Sequence, residues 1–132
     1  MADSMLKEKG EPETDENYFC HIIIPAKDYR RSKVFFERVF GWRVEALTGT
    51  NTMNVLPPSG KGPSAELNSE EEVVIPSIYT SNIDRKLELI EEHGGKALRR
   101  RTPIGEDSRY GYYALFEDPC GNKMTLYQRK QN

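Results

Sequence analysis

Short apolar runs alternate with two longer segments of helical periodicity along the chain. Residues 18–25, YFCHIIIP, are apolar and β-branched, which predicts a buried strand that ends at the proline. The next segment has apolar residues at helical spacing, with Asp28 as a plausible N-cap and Gly41 at its end, and this pattern predicts a helix. The strands predicted after the helix cover residues 42–46, 53–56 and 65–68.

The second half of the chain repeats this order. A strand is predicted over residues 73–80, although Pro76 must then sit at a sheet edge, a bulge or a strand start, because proline cannot donate a ladder hydrogen bond. A helix begins after Asn82 or Asp84 and ends before Gly94. The strands predicted after this helix cover residues 96–101, 112–117 and 123–128.

These elements predict an α+β domain made of two βαβββ modules. Each module alone would leave one sheet face too apolar for solvent. We therefore expect the modules to pair into one curved eight-stranded mixed sheet, with the helices outside and a concave pocket inside.

Charge separates the first residues from the rest of the chain. Of the 132 residues, the first 17 contain six acidic and two basic side chains and almost no apolar ones. We expect residues 1–17 to form a disordered acidic tail and residues 18–132 to form the domain.

The net charge of −2 argues against nucleic acid as the main partner. The absence of a secretory signal or a long apolar stretch predicts a cytoplasmic protein with no membrane contact, whose two cysteines are free thiols.

Four segments of the chain, in this order and spacing, resemble the vicinal oxygen chelate superfamily, which includes glyoxalases, bleomycin-resistance proteins and extradiol dioxygenases. The resemblance covers about residues 18–129 and implies the same two-module fold. The segments are CHIIIPAKDYRRSKVFFERVFGW, IYTSNIDRKLELIEEHGGK, RTPIG and YYALFEDPCGNKMTLYQ.

The resemblance also implies four strand positions that hold a divalent metal in glyoxalase-type members through His, Gln or Glu side chains. Carried over residue by residue, His21 matches the first position and Glu66 the second. The third falls at Ile75 or Pro76 and the fourth at Thr125, none of which is a usual ligand. Because a catalytic metal usually needs three protein ligands, we expect no metal cofactor; if one binds, His21 and Glu66 are its ligands.

The resemblance and the two-residue strand period together suggest five site residues. His21 is the candidate catalytic residue for proton transfer, with a half-buried strand histidine as the alternative. Glu66 is a candidate pocket carboxylate, or else a solvated residue. Arg109, on a loop, is a candidate cation for an acidic substrate, while Thr125 and Tyr127 would line the pocket if both face it.

The resemblance leaves three functions open. The first is a metal-independent or metal-poor enzyme of the isomerase or lyase type, acting on a small organic substrate. The second is a non-catalytic protein that binds or sequesters a small molecule, as bleomycin-resistance proteins do. The third is a metal-dependent lyase or dioxygenase. In each case the partner is a small molecule, and a homodimer is expected by resemblance.

Overall fold

The computed structural model describes residues 16–131 and contains eight strands, two α-helices and one short 3-10 turn, Glu106–Ser108. Most of the predicted acidic tail lies outside the described residues. No helix within the described range is long and apolar enough to cross a membrane.

The first module consists of β1 (Phe19–Pro25), α1 (Tyr29–Phe40), β2 (Arg43–Ala46), β3 (Thr52–Leu56) and β4 (Ser64–Asn68). The second consists of β5 (Ile75–Tyr79), α2 (Ile83–Glu92), β6 (Lys96–Pro103), β7 (Tyr112–Glu117) and β8 (Lys123–Gln128).

All eight strands belong to one mixed sheet with the order β2-β3-β4-β1-β5-β8-β7-β6. The pairs β1–β4 and β5–β8 are parallel, and the remaining pairs are antiparallel. The two modules meet where β1 pairs with β5. The predicted fold class, two βαβββ modules that share one eight-stranded sheet, is therefore confirmed.

Local capping signals define both helices as the sequence predicts. The Asp28 side chain accepts a hydrogen bond from the backbone N–H of Arg30, and Gly41 ends α1 with a φ of 70°. Asn82 rather than Asp84 caps α2, because its side chain accepts from the backbone N–H of Arg85. These side chains satisfy backbone donors that a helix start leaves without an intrahelical partner.

Both helices pack on the same face of the sheet. Ile22 and Ile24 lie in the first core cluster with Phe36 of α1, whereas Ile78 packs in the second cluster with Leu87 of α2. Ile22 pairs with Pro76, two residues before Ile78, so these side chains point to the same side. Ile22 and Ile24 therefore pack beneath α1. Neither α-helix of residues 16–131 packs on the opposite face, which we call the helix-free face.

Pro76 is the second residue of β5, a central strand. It precedes the ladder between β5 and β8, which begins at Ser77. The strand therefore starts two residues later than predicted, and the proline occupies a strand start, one of the three places that its missing N–H allows.

The edge strand β6 departs from a regular ladder. Its register against β7 shifts twice, between Ala97 and Arg99 and between Arg99 and Thr102. As a result Arg100 and Arg101 both reach acidic side chains of α2, while the Arg99 guanidinium donates to the Tyr113 hydroxyl at 2.7 Å. The ion pairs on α2 are Arg100–Glu91 at 2.9 Å and Arg101–Asp84 at 3.4 Å.

The open sheet curves around its helix-free face so that loops at its two edges come into contact. Tyr110, in the β6–β7 loop at one edge, donates its hydroxyl proton to the carbonyl oxygen of Thr48 at 2.7 Å. Thr48 lies in the turn between β2 and β3, at the other edge of the sheet. Since the helices cover the outer face, the helix-free face is the inner one, as the predicted curved sheet requires.

Replacing Leu87 with alanine should destabilise the domain strongly. Leu87 is fully buried in the second core cluster, and removing a buried leucine side chain costs about 2–5 kcal/mol of unfolding free energy. Urea unfolding followed by circular dichroism measures this loss. The matched control is Leu89→Ala on the same helix, which lies outside that cluster and should cost much less. Equal losses would contradict the packing described here.

Candidate functional site

A histidine and a carboxylate are in contact near the middle of the helix-free face. His21 is the third residue of β1, and Glu66 is the third residue of β4. Glu66 pairs with Ile23, which follows His21 on the same face of β1. The His21 Nε2 lies 2.8 Å from Glu66 Oε1, and the two side chains are 23% and 19% exposed. The structure thus brings together the first two metal positions that the resemblance implies, and both remain reachable by a ligand.

Ser64 provides the second partner of the His21 ring. The Ser64 Oγ lies 2.6 Å from Nδ1 and 3.4 Å from the carbonyl oxygen of Cys20. A serine hydroxyl can donate or accept. It can donate to Nδ1 when the ring is neutral. It can accept from Nδ1–H and turn its own proton to Cys20 when the ring is protonated. The ring can therefore gain or lose a proton while it keeps both partners.

Glu66 is the member of the pair with spare acceptor capacity. The side-chain amide of Asn68 donates to Glu66 Oε2 at 3.1 Å, so each carboxylate oxygen has one donor and retains a lone pair. Both ring nitrogens of His21, in contrast, already have partners. The arrangement favours Glu66 as the group that faces a ligand and His21 as the group that holds it, whereas the sequence suggests His21 as the catalytic residue.

Two buried hydroxyl groups continue the polar row across the sheet. Ser77 lies opposite His21 on one side and opposite Thr125 on the other, and the Ser77 and Thr125 hydroxyls are hydrogen-bonded to each other. Ser77 and Thr125 are only 3% and 4% exposed. The cross-strand register therefore places Ser77, rather than Ile75 or Pro76, between the first and fourth positions of the implied metal site.

These four positions do not fit a catalytic divalent metal. They carry one imidazole, one carboxylate and two hydroxyls, and the hydroxyls already bond to each other. Within residues 16–131, no group of three His, Cys, Asp or Glu side chains could hold a metal ion. A catalytic zinc site usually takes three such ligands, and the iron triad takes two histidines and a carboxylate.

Tyr127 lines the same face, as predicted, but its hydroxyl has a structural partner. It donates to the carbonyl oxygen of Tyr110 at 2.7 Å, and its ring centroid lies 6.0 Å from that of Tyr79. Burial raises the pKa of the Tyr127 phenol, while the nearby charge of Arg129 opposes the rise. The phenol is therefore a hydrogen-bond donor at neutral pH, directed into the loop above the site.

A bulge sets the position of Cys20 beside this site. The register between β1 and β5 shifts between Phe19 and His21, and the Cys20 thiol donates to the carbonyl oxygen of Ser77 at 3.7 Å. Burial raises the pKa of the Cys20 thiol to about 11, against the smaller lowering effects of a backbone hydrogen bond and Arg129. Since the thiolate is the nucleophile, Cys20 is a weak nucleophile at neutral pH.

Arg109 lies on the β6–β7 loop rather than on a strand of the helix-free face. Its guanidinium carbon is 5.0 Å from the centroid of the Tyr110 ring, and the side chain is exposed on the β6–β7 loop. The structure thus places His21, Glu66, Thr125 and Tyr127 on one face and Arg109 on the loop that borders it.

Two surface clefts lie elsewhere. One, of about 360 Å³, is lined by residues that include Tyr29 and the turn between β2 and β3. The other, of about 510 Å³, lies between the end of β1 and the start of α1. Neither is lined by His21 or Glu66, so a ligand of that pair must enter along the helix-free face.

Comparison with known proteins agrees with this architecture. Residues 19–126 match the family model described as the Glyoxalase/Bleomycin resistance protein/Dioxygenase superfamily. No sequence among the curated proteins matches the chain.

Several solved structures share the fold at low sequence identity. The hypothetical protein BH1468 from Bacillus halodurans C-125 has a TM-score of 0.65 at 15% identity, over 88% of this chain and 96% of that one. A Streptomyces coelicolor methylmalonyl-CoA epimerase has a TM-score of 0.60 at 15% identity, over 88% and 99% of the two chains. The methylmalonyl-CoA epimerase of Mycobacterium tuberculosis has a TM-score of 0.57 at 9% identity, over 94% and 96%.

Because the donor set lacks a third ligand, the purified protein should contain well under one divalent metal ion per chain after mild dialysis. Plasma mass spectrometry measures zinc, nickel and iron directly. About one equivalent of any of these metals would contradict the expectation. In that case the variants His21→Ala and Glu66→Gln would show whether the pair holds the ion.

Alkylation of Cys20 should accelerate steeply with pH. The exposed Cys120 is first replaced by serine so that Cys20 is the reporting thiol. Because its pKa is raised to about 11 and only the thiolate reacts, the rate with iodoacetamide should rise about tenfold per pH unit between pH 8 and 10. Mass spectrometry follows the adduct, and free cysteine is the reference. A plateau below pH 9 would show that Cys20 is not buried as described.

Proposed function

The chain belongs to the Glyoxalase/Bleomycin resistance protein/Dioxygenase superfamily, and on that premise we propose that it binds a small organic compound on the helix-free face and transfers a proton there. The reaction type is that of an isomerase or lyase. The contact between His21 and Glu66 is the observation that carries this proposal. A contacting imidazole and carboxylate, both partly exposed, are suited to moving a proton at neutral pH.

In this proposal Glu66 accepts a proton from a carbon atom next to a carbonyl group of the ligand. Its carboxylate retains lone pairs, and Asn68 and His21 fix its orientation. His21 is the positioning residue, because its Nε2–H donates to the carboxylate while Ser64 serves Nδ1. The abstracted proton stays on Glu66, the His21 ring keeps its Nε2–H and remains neutral, and Glu66 later returns the proton to a carbon atom of the ligand. No step requires a metal, in keeping with the donor set.

The proposed ligand is small, and the residues beside the pair indicate its character. The hydroxyls of Ser77 and Thr125 and the ring of Tyr127 share the face with Glu66. A compound with polar oxygen atoms and a limited apolar part matches such a surface. Epimerases are among the solved structures with a similar fold, and epimerisation is an isomerase reaction; that similarity concerns the fold, and the argument for proton transfer rests on Glu66 and His21.

The proposal predicts hydrogen–deuterium exchange at an acidic carbon. The protein is incubated in D2O with pyruvate, 2-oxobutyrate, acetoacetate and S-propionyl-N-acetylcysteamine, and NMR measures loss of the C–H signals. Exchange of at least one compound should be faster than in buffer. Glu66→Gln should reduce the enzymatic rate by about a hundredfold or more, because general base catalysis contributes about 10²–10⁴-fold.

Two variants sharpen this test. Glu92→Gln removes an exposed carboxylate on α2, on the other side of the sheet, and should leave the exchange rate unchanged. His21→Gln should lower the rate while the chain stays folded. Exchange that survives Glu66→Gln would refute the role of Glu66. Binding of these compounds without exchange would favour the non-catalytic binding protein instead.

A further inference from the structure

The loop that joins β6 to β7 crosses the open side of the helix-free face. It runs from Gly105 to Gly111, and we call these seven residues the Tyr110 strap. The Tyr110 hydroxyl donates to the Thr48 carbonyl oxygen at 2.7 Å, whereas its own carbonyl oxygen accepts from the Tyr127 hydroxyl at 2.7 Å. Tyr110 therefore connects the opposite sheet edge with β8, a strand that lines the inner face.

The backbone of the strap is strained at two residues and bounded by glycines. Gly105 and Gly111 bound it with φ values of 79° and 93°, which favour glycine. Asp107 and Ser108 between them have φ values of 54° and 57°, a conformation that side-chain-bearing residues seldom adopt and that costs free energy. The contacts that hold the strap must offset this cost, so loss of one of them shifts its equilibrium.

The closing contact is a single hydrogen bond, while the base of the strap is held more firmly. At the base, the N–H of Ile104 donates to the Gly111 carbonyl oxygen at 2.9 Å, and the N–H of Tyr110 donates to the Ile104 carbonyl oxygen at 3.1 Å. The Tyr110 side chain alone reaches across to Thr48, at the other edge of the sheet. Breaking this bond would release the strap from that edge, while the Tyr127 hydroxyl and the Lys130 ammonium still donate to the carbonyl oxygens of Tyr110 and Asp107.

We propose that Tyr110 determines which ligands reach Glu66, by closing the strap over the helix-free face so that only small compounds enter unless its bond to Thr48 breaks. The inference rests on the proposed function for the position of the ligand, but not on proton transfer. The bond from Tyr110 to Thr48 joins the two edges of an open eight-stranded sheet across its inner face. Neither of the two surface clefts described above is lined by the pair, which faces the side of the sheet that the strap spans.

Cys20 is a built-in reporter of this access. It precedes His21, and its thiol is half-buried. It also lies close enough to Tyr127 to contribute to the raised pKa of that phenol, after the larger effect of burial. The test uses the Cys120→Ser protein with two neutral reagents that share one reactive group, N-ethylmaleimide and the much larger N-(1-pyrenyl)maleimide. The ratio of the large to the small reagent's rate cancels the intrinsic reactivity of the thiol.

Tyr110→Phe removes only the hydroxyl and should raise this ratio about fivefold, the change expected from one net hydrogen bond. Tyr112→Phe is the matched control, since Tyr112 packs in the α2 core cluster on the other face, and it should leave the ratio unchanged. Thermal unfolding of all three proteins verifies that they are folded at the assay temperature.

The outcomes separate the two proposals. An unchanged ratio in Tyr110→Phe, or an equal rise in Tyr112→Phe, would overturn the role of Tyr110, whatever the exchange experiment shows. A raised ratio confined to Tyr110→Phe would support it even if Glu66 transfers no proton, because the assay needs no substrate. Fast, size-independent labelling of the Cys120→Ser protein itself would show that the strap does not restrict access, and would also overturn the proposal.

Discussion

The burial of alternate β1 residues beneath α1 is the constraint on which the candidate site depends. Ile22 and Ile24 pack into the first core cluster, so the two-residue period of the strand directs His21 and Ile23 to the inner face. A register slip of one residue would turn Ile22 and Ile24 away from α1 and place His21 beneath it. That register is unfavourable because it buries less apolar surface. The hydrophobic effect on one side of the sheet thereby positions the polar chemistry on the other.

The same constraint orients Glu66 on β4, the strand that pairs in parallel with β1. Ala65 and Leu67 are buried in the same cluster, which turns Ser64, Glu66 and Asn68 towards the inner face. Of these three polar residues, Ser64 and Glu66 hold the two nitrogens of the His21 ring, and Asn68 holds Glu66. Their precision comes from strands rather than loops, because regular ladders hold side chains in place more rigidly than connections do.

Local patterns in the sequence predict most of the fold. The Asp28 cap, the Gly41 terminus and the apolar stripe of α2 are interactions between residues close in sequence, and each appears where it is expected. The fold class follows from the order of those elements. The start of β5 is less well predicted, because Val73 and Val74 extend the apolar run ahead of Pro76 although both are exposed.

The candidate site depends on contacts that no local pattern contains. Glu66 meets His21 across 45 positions of chain, and the loop before β4 leaves the register between them open at the level of sequence. The sequence could have indicated Ser64 and Asn68, because residues two positions before and after Glu66 lie on the same face of a strand. Pro76 leaves the register of β5 open at the level of sequence, so Ser77 could not be assigned to the site. The contact of Tyr110 with Thr48 depends on how the whole sheet curves.

The two register shifts of β6 have a consequence for how copies of this chain can meet. A regular edge strand offers a row of free N–H and C=O groups, onto which another chain can add a strand and begin aggregation. The shifts interrupt that row, and Arg100 and Arg101, tied to α2, place two cations along the same border. Sheet extension through β6 is thereby disfavoured, and the protein keeps one end of its eight-stranded sheet from becoming a template for its own polymer.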